Sequence, residues 1–141
     1  MQVYETSRRI NADPPTVWRI LTDPARLVAI GSGVTRLDGR IAPGERLKLQ
    51  SEASPGRIFP LIVTAFDPPH FMEWVGGMPF GLFKGRRTFR LSSTNGATNL
   101  GVLEEYTGLM LQLIWKSMPD LQPSFEQFAD AVKRAAEEEA R

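Results

Sequence analysis

The chain contains no cysteine and only one histidine. Without cysteine there are no disulfides and no thiolate metal sites. Redox chemistry therefore does not fix the compartment, and a reducing cytoplasm is compatible. The single histidine, His70, falls in the turn Asp67-Pro68-Pro69-His70, where exposure to solvent is the rule. A metal site would have to be all-oxygen, and no cluster of Asp or Glu has that spacing. No serine sits in a Gly-x-Ser-x-Gly elbow, and none has a histidine partner, which excludes an acyl-transfer triad. Gly31-x-Gly33 and Gly76-Gly77 do not open helices, so they make poor phosphate loops. An excess of one charge is also missing. Seventeen basic against sixteen acidic residues leave a net +1, whereas nucleic-acid binders show a strong basic surplus. No apolar run approaches the roughly 18 residues of a membrane span. Met1-Gln2-Val3-Tyr4-Glu5 lacks the charged-then-apolar pattern of a signal peptide. These absences predict a soluble cytoplasmic protein with no metal, no cofactor, no nucleic-acid partner and no stable insertion in a membrane. Its 141 residues fit one domain, 1–141. A chain of that size buries roughly 68–70% of its unfolded surface.

The most strongly patterned stretch is Leu121–Arg141. Leu121, Phe125, Phe128, Ala129, Val132, Ala135 and Ala136 recur in steps of three and four. That spacing gives one apolar side of a 3.6-residue helix, with Glu126, Asp130, Lys133, Glu137 and Arg141 on the other. Ser124 and Gln127 have the spacing of a capping box, with Pro123 closing off the chain before it. The predicted helix is roughly 30 Å long. Its two phenylalanines need a cover, which only a sheet can supply here.

Ahead of it, Val3–Ile10 reads as a strand. Asp13 with Pro14 and Pro15 starts a short helix through Val17, Trp18, Ile20 and Leu21. Asp23-Pro24 starts another through Leu27, Val28 and Ile30. Between these helices and Gly108, strand-like runs alternate with turns at 38–39, 54–56, 67–70, 76–79 and 94–96. The runs are 34–37, 45–52, 58–66, 71–75, 82–92 and 98–107, with no helix between them, which implies an antiparallel sheet. Leu109–Met118 is densely apolar but too short to cross a bilayer. It reads as a connector across one end of the sheet, as a mobile lid, or as a contact with a second copy of the chain. The whole predicts an α+β design: a curved antiparallel sheet of about seven strands wrapped on a long C-terminal helix, with two short helices after strand 1.

This order, with Ile10-Asn11-Ala12-Asp13-Pro14-Pro15-Thr16-Val17-Trp18, Val63-Thr64-Ala65-Phe66-Asp67-Pro68-Pro69 leading to Trp74, Glu104-Glu105-Tyr106-Thr107-Gly108, and Pro123-Ser124-Phe125-Glu126-Gln127-Phe128, resembles the START-like, or SRPBCC, superfamily. That group includes Bet v 1-type proteins, lipid-transfer START domains and polyketide cyclase/dehydrase-like proteins. The resemblance spans essentially the whole chain without a single diagnostic motif, so it speaks to fold before activity. It implies a helix-grip fold with a cavity between sheet and long helix, used for lipids, polyketides or similar apolar ligands.

Pairing Leu91 with Leu100 across the 94–96 turn sets Phe89 opposite Val102, Arg87 opposite Glu104 and Gly85 opposite Tyr106. The apolar members must face the helix, and the two-residue period then turns Arg87, Glu104 and Tyr106 inward too. A charge pair on a core face costs several kcal/mol to desolvate unless its hydrogen bonds are satisfied. It is therefore either a structural ion pair or the polar anchor of a ligand. A one-residue bulge would present Glu105 instead. The remaining expected lining is Leu47 and Leu49, Met72 and Trp74, Phe83 beside Phe89, and Phe125, Phe128, Ala129 and Val132 from the helix. Met110 and Leu113 are added from the connecting stretch. Ala129, small among larger neighbours, is expected to leave room. Burying about 300 Å² of apolar ligand would give roughly 7.5 kcal/mol gross. After association costs this corresponds to micromolar binding. The expected partner is an apolar small molecule, with a homodimer left open and no residue assigned a catalytic role. Two alternatives stand beside it. One is a cyclase/dehydratase-like enzyme using Arg87, Glu104 or Tyr106. The other is a protein-interaction module of the chaperone-cofactor type, with Leu109–Trp115 as its exposed patch.

Overall fold

The computed structural model describes all residues, Met1–Arg141. Strand β1 (Gln2–Ile10) leads into two helices, α1 (Pro14–Leu21) and α2 (Pro24–Ala29). Six strands follow: β2 (Val34–Asp38), β3 (Arg46–Ser51), β4 (Phe59–Asp67), β5 (Phe71–Met78), β6 (Phe83–Thr94) and β7 (Ala97–Thr107). A short helix, α3 (Leu111–Trp115), precedes the long α4 (Gln122–Ala140). All seven strands form one antiparallel sheet in the order β1-β7-β6-β5-β4-β3-β2. The fold class is α+β, as the pattern of turns and the terminal helix predicted.

The two short helices start as their sequences dictate. Asp13 accepts a hydrogen bond from the Thr16 amide at 3.0 Å, and Asp23 accepts one from the Arg26 amide at 3.2 Å. In each case a proline stands in the first turn, where its missing N–H leaves no bond unmade. Helix α4 starts differently from expectation. Ser124 makes no capping contact; the helix already begins at Gln122, and Pro123 lies inside its first turn. The Gln122 amide is met instead by Asp120 Oδ1 at 3.1 Å. Gln127, freed from capping, reaches across to the Gly31 carbonyl and to Glu52, at 3.1 and 2.8 Å.

Strand β5 also runs further than its turn-like residues suggest. Gly76, Gly77 and Met78 stay extended and pair with Gly85, Lys84 and Phe83. At Gly76 a Cβ would come within 2.6 Å of Leu61 Cδ2, so the missing side chain is what lets the Leu61 side chain lie there. Gly77 has φ +138, and a Cβ would strike the Phe83 carbonyl. The reversal comes later, over Pro79–Gly81.

The core joins the inner sheet face to α1, α2 and α4. Ile10, Ile20, Leu21, Leu27, Leu47, Met72, Trp74, Phe89, Leu100 and Val132 are all buried. An irregularity in β4 between Val63 and Ala65 resets the alternation, so that Phe66 faces Met72 and its ring packs 5.3 Å from Trp18. The charged side of α4 is not simply solvated. Glu126 and Asp130 bind Arg8, Lys133 Nζ bonds the Arg9 carbonyl at 2.6 Å, and Glu137 accepts from the Asn11 amide at 2.9 Å. These bonds clasp α4 along β1.

Candidate functional site

The register between β6 and β7 is the one read from the sequence: Leu91 faces Leu100, Phe89 faces Val102, Arg87 faces Glu104 and Gly85 faces Tyr106. No bulge intervenes, so Glu104 rather than Glu105 turns inward. Extending this register across the neighbouring strands aligns Val63, Trp74, Arg87, Glu104 and Tyr4 as one rung on the inner face. The next rung towards the start of β1 is Leu47, Leu61, Gly76, Gly85 and Tyr106.

On the first rung, Arg87 Nη2 and Nε both donate to Glu104 Oε2, at 2.6 and 3.1 Å. The two side chains are 19% and 12% exposed. The guanidinium lies 4.7 Å from the centre of the Phe125 ring. Burial opposes the charge on Arg87 more than any other single influence, but Glu104, by its charge and its hydrogen bond, together with Tyr106 leaves the pKa raised. Trp74 is 2% exposed and its Nε1–H has no hydrogen-bond partner. On the second rung, a Cβ at Gly85 would stand 3.2 Å from the Tyr106 ring and 3.3 Å from Glu104 Oε1. The glycine thus makes room for both side chains to lean over the sheet. Burial, then the neighbouring Glu104, pushes the Tyr106 phenol well above its ordinary value, so Tyr106 stays a neutral donor.

Around this polar pair the structure divides the expected lining in two. Trp74, Phe89 and Phe128 are in ring contact, with centroids 4.7 and 5.9 Å apart in sequence, and Leu47, Leu49, Met72, Phe125 and Val132 belong to the same core. These rings fill the middle of the sheet–helix interface. Ala129 is fully buried, but its neighbours Glu126, Asp130 and Lys133 all bond β1. Ala129 therefore lies on the part of α4 that these bonds hold against β1. Two grooves, of about 690 and 720 Å³, open chiefly over the outward face of the sheet. Glu73, Arg86, Thr88 and Glu105 line one, and Arg46, Lys48, Ile62 and Val75 the other. Neither includes Trp74, Phe89, Phe125 or Phe128.

The other half lies where β1, β6, β7 and α3 meet. Tyr106 stacks on Phe83 at 5.6 Å and packs against Trp115 at 5.9 Å; Tyr4 contacts Trp115 at 5.5 Å and Phe125 at 5.7 Å. Phe83, Tyr4 and Trp115 are only half-buried. Met110 is half-buried too, and its amide bonds the Leu82 carbonyl at 2.9 Å. Leu113, expected in the lining, points to solvent at 68% exposure, because the single turn of α3 buries Leu111 instead. Tyr4 and Trp115 were missed from sequence. Only the β1–β7 pairing, set by sheet order, brings Tyr4 opposite Glu104.

An antiparallel sheet curled on a C-terminal helix, with a charge pair and an unpartnered indole N–H among aromatic rings, defines a helix-grip protein. A family model for polyketide cyclase / dehydrase and lipid transport proteins matches residues 1–139, and the chain belongs to that family. Among solved structures it is similar to protein MLL2253 of Mesorhizobium loti, with 18% identity, TM-score 0.76, and 97% and 98% of the two chains covered. It is also similar to a norcoclaurine synthase mutant of Thalictrum flavum in complex with a transition-state analogue (13%, 0.72, 99% and 96%). A third is CalU16 of Micromonospora echinospora (17%, 0.66, 98% and 83%). At these identities the likeness shows the fold. No curated protein matches the chain significantly. No helix is long and apolar enough to cross a membrane.

Proposed function

We propose that this protein binds an apolar small molecule at the end of the sheet–helix interior formed by Tyr4, Phe83, Tyr106 and Trp115, with Arg87 and Glu104 as its polar anchor. The observation that carries this reading is the buried Arg87–Glu104 pair beside Trp74 Nε1–H, a donor left unsatisfied in the apolar interior. Buried polar atoms are nearly always paired, so an orphan beside a charge pair is suited to a ligand oxygen. Half-buried aromatic rings next to it supply apolar contact. Five-residue α3 covers this end and is the element that would shift to admit the ligand.

Tyr106 is held as a neutral phenol and Arg87 as a cation, so both are suited to donate hydrogen bonds to a ligand oxygen. The family's lipid-transport branch fits the binding reading. We place the protein in the cytoplasm, where its ligand would be drawn from other apolar pools.

Native mass spectrometry of freshly purified protein should show a retained small-molecule mass. Titration with the neutral fluorescent probe N-phenyl-1-naphthylamine should give saturable micromolar binding, weakened about tenfold in Tyr106→Ala. A probe signal that does not saturate, or that is unchanged in Tyr106→Ala, would remove this site from consideration.

A further inference from the structure

The aromatic end of the molecule carries a surface that ligand binding does not use. Three separate connections meet there: 52–58 between β3 and β4, 79–82 between β5 and β6, and 108–110 between β7 and α3. The tips of the last two are apolar and open, and Ile58 ends the first. Phe80 is 95% exposed and Leu109 88%, with Leu113, Ile58 and Met78 also exposed. The last two connections are structurally joined. Met110 bonds the Leu82 carbonyl at 2.9 Å, and a Cβ at Gly108 would press on the same carbonyl. Phe80 is held at φ +60 between Pro79 and Gly81, a left-handed conformation that bulky residues avoid. A strained backbone that presents an aromatic ring to water contributes nothing to the core.

The charges around this tip select the occupant. Arg57, Lys84 and Lys116 are exposed on the same end and make no salt bridge. Two carboxylates lie towards this end, Glu52 and Asp120; each accepts an amide hydrogen bond and keeps its charge, so the three cations leave a net positive balance of one. Two copies meeting tip to tip would set these cations against one another. The 720 Å³ groove reaches this end through Met78, Gly81 and Lys84 but does not include Phe80, Leu109 or Leu113, so a peptide seated in it would leave those tips in water. A lipid surface suits both features: the apolar tips enter the acyl boundary and the cations meet anionic headgroups.

We infer that this end of the protein docks peripherally on anionic membranes, with Phe80 and Leu109 as the inserted side chains and Lys84 and Lys116 as headgroup contacts. The docked end is also the α3 end, so a membrane would face the segment that covers the aromatic cluster.

Vesicle co-sedimentation tests this. Vesicles of phosphatidylcholine containing about a third phosphatidylserine should bind the protein at least about tenfold better than phosphatidylcholine alone, and added salt should weaken the binding. Phe80→Ser with Leu109→Ser should lower binding about tenfold. Lys84→Gln and Lys116→Gln should each lower it about fivefold. All four positions are exposed, and unchanged thermal melting will confirm that the variants fold. Equal binding to both vesicle types would overturn the inference, as would binding by Phe80→Ser/Leu109→Ser equal to that of the parent. So would a self-association, seen by analytical ultracentrifugation, that these substitutions abolish while no vesicle binding is detected. The readout does not depend on the interior ligand, so failure here leaves the proposed binding site standing, and the reverse.

Discussion

Arg87 and Glu104 show what a single buried charge does in a mostly apolar interior. Each is tolerable only because the other is there. Removing one strands its partner, so Arg87→Ala should cost about 3 kcal/mol of stability in denaturant unfolding, whereas Arg87→Met with Glu104→Leu should recover most of it. Recovered stability together with lost probe binding would assign the pair to the ligand; recovered stability with intact binding would make it structural. Tyr106 gives a second residue-level test. Its folded-state pKa is raised above the ordinary 10.0, by burial and then by Glu104. Below pH 10 both folded and unfolded chains carry the neutral phenol. As pH rises above that value the unfolded chain ionises first, so stability falls. Tyr106→Phe should flatten that alkaline loss when melting temperature is followed towards pH 11. An alkaline limb identical in parent and variant would refute the assigned burial of the phenol.

At the scale of elements, the clasp between β1 and α4 decides how the long helix lies. Arg8 holds Glu126 and Asp130, while the Asn11 amide and Lys133 hold Glu137. The Arg8 hydrogen bond depresses the pKa of Glu126 below its ordinary 4.5, and the Asn11 amide, then Lys133, does the same for Glu137. Groups with depressed folded values give stabilisation that is complete above the unfolded value and lost as pH falls through the folded one. Melting temperature should therefore be level above about pH 5 and fall below 4.5, more steeply than in Arg8→Gln. These pairs are half-buried at the surface, and each is worth at most about 1 kcal/mol. High salt should shrink the difference between parent and variant. A variant whose acid limb overlays the parent's would show that the clasp is geometric only. The periodicity of Leu121–Arg141 foretold the apolar stripe that packs inward, but this clasp was not legible. Ionic residues on a helix read as solvated unless the neighbouring strand is known, and Arg8 and Glu126 lie 118 residues apart.

At the scale of the whole molecule, the fold and the family follow from features spread along the chain, and the site does not. Short strands punctuated by turns, two proline-led helices and a terminal amphipathic helix are each local patterns. Local propensity, side-chain period and turn chemistry act over a few residues, so they can be read before any contact is known. The β6–β7 pairing was equally legible, because one hairpin turn and one apolar set fix its register. The sequence by itself therefore determined an α+β helix-grip chain with Arg87 and Glu104 facing inward. Only the tertiary structure decided that Trp74, Phe89 and Phe128 close the middle of the interior, and that Tyr4 and Trp115 join Tyr106. It also decided that Phe80 and Leu109 share one exposed end. Those outcomes depend on how far each side chain reaches across elements distant in sequence, a matter of packing that no local pattern encodes.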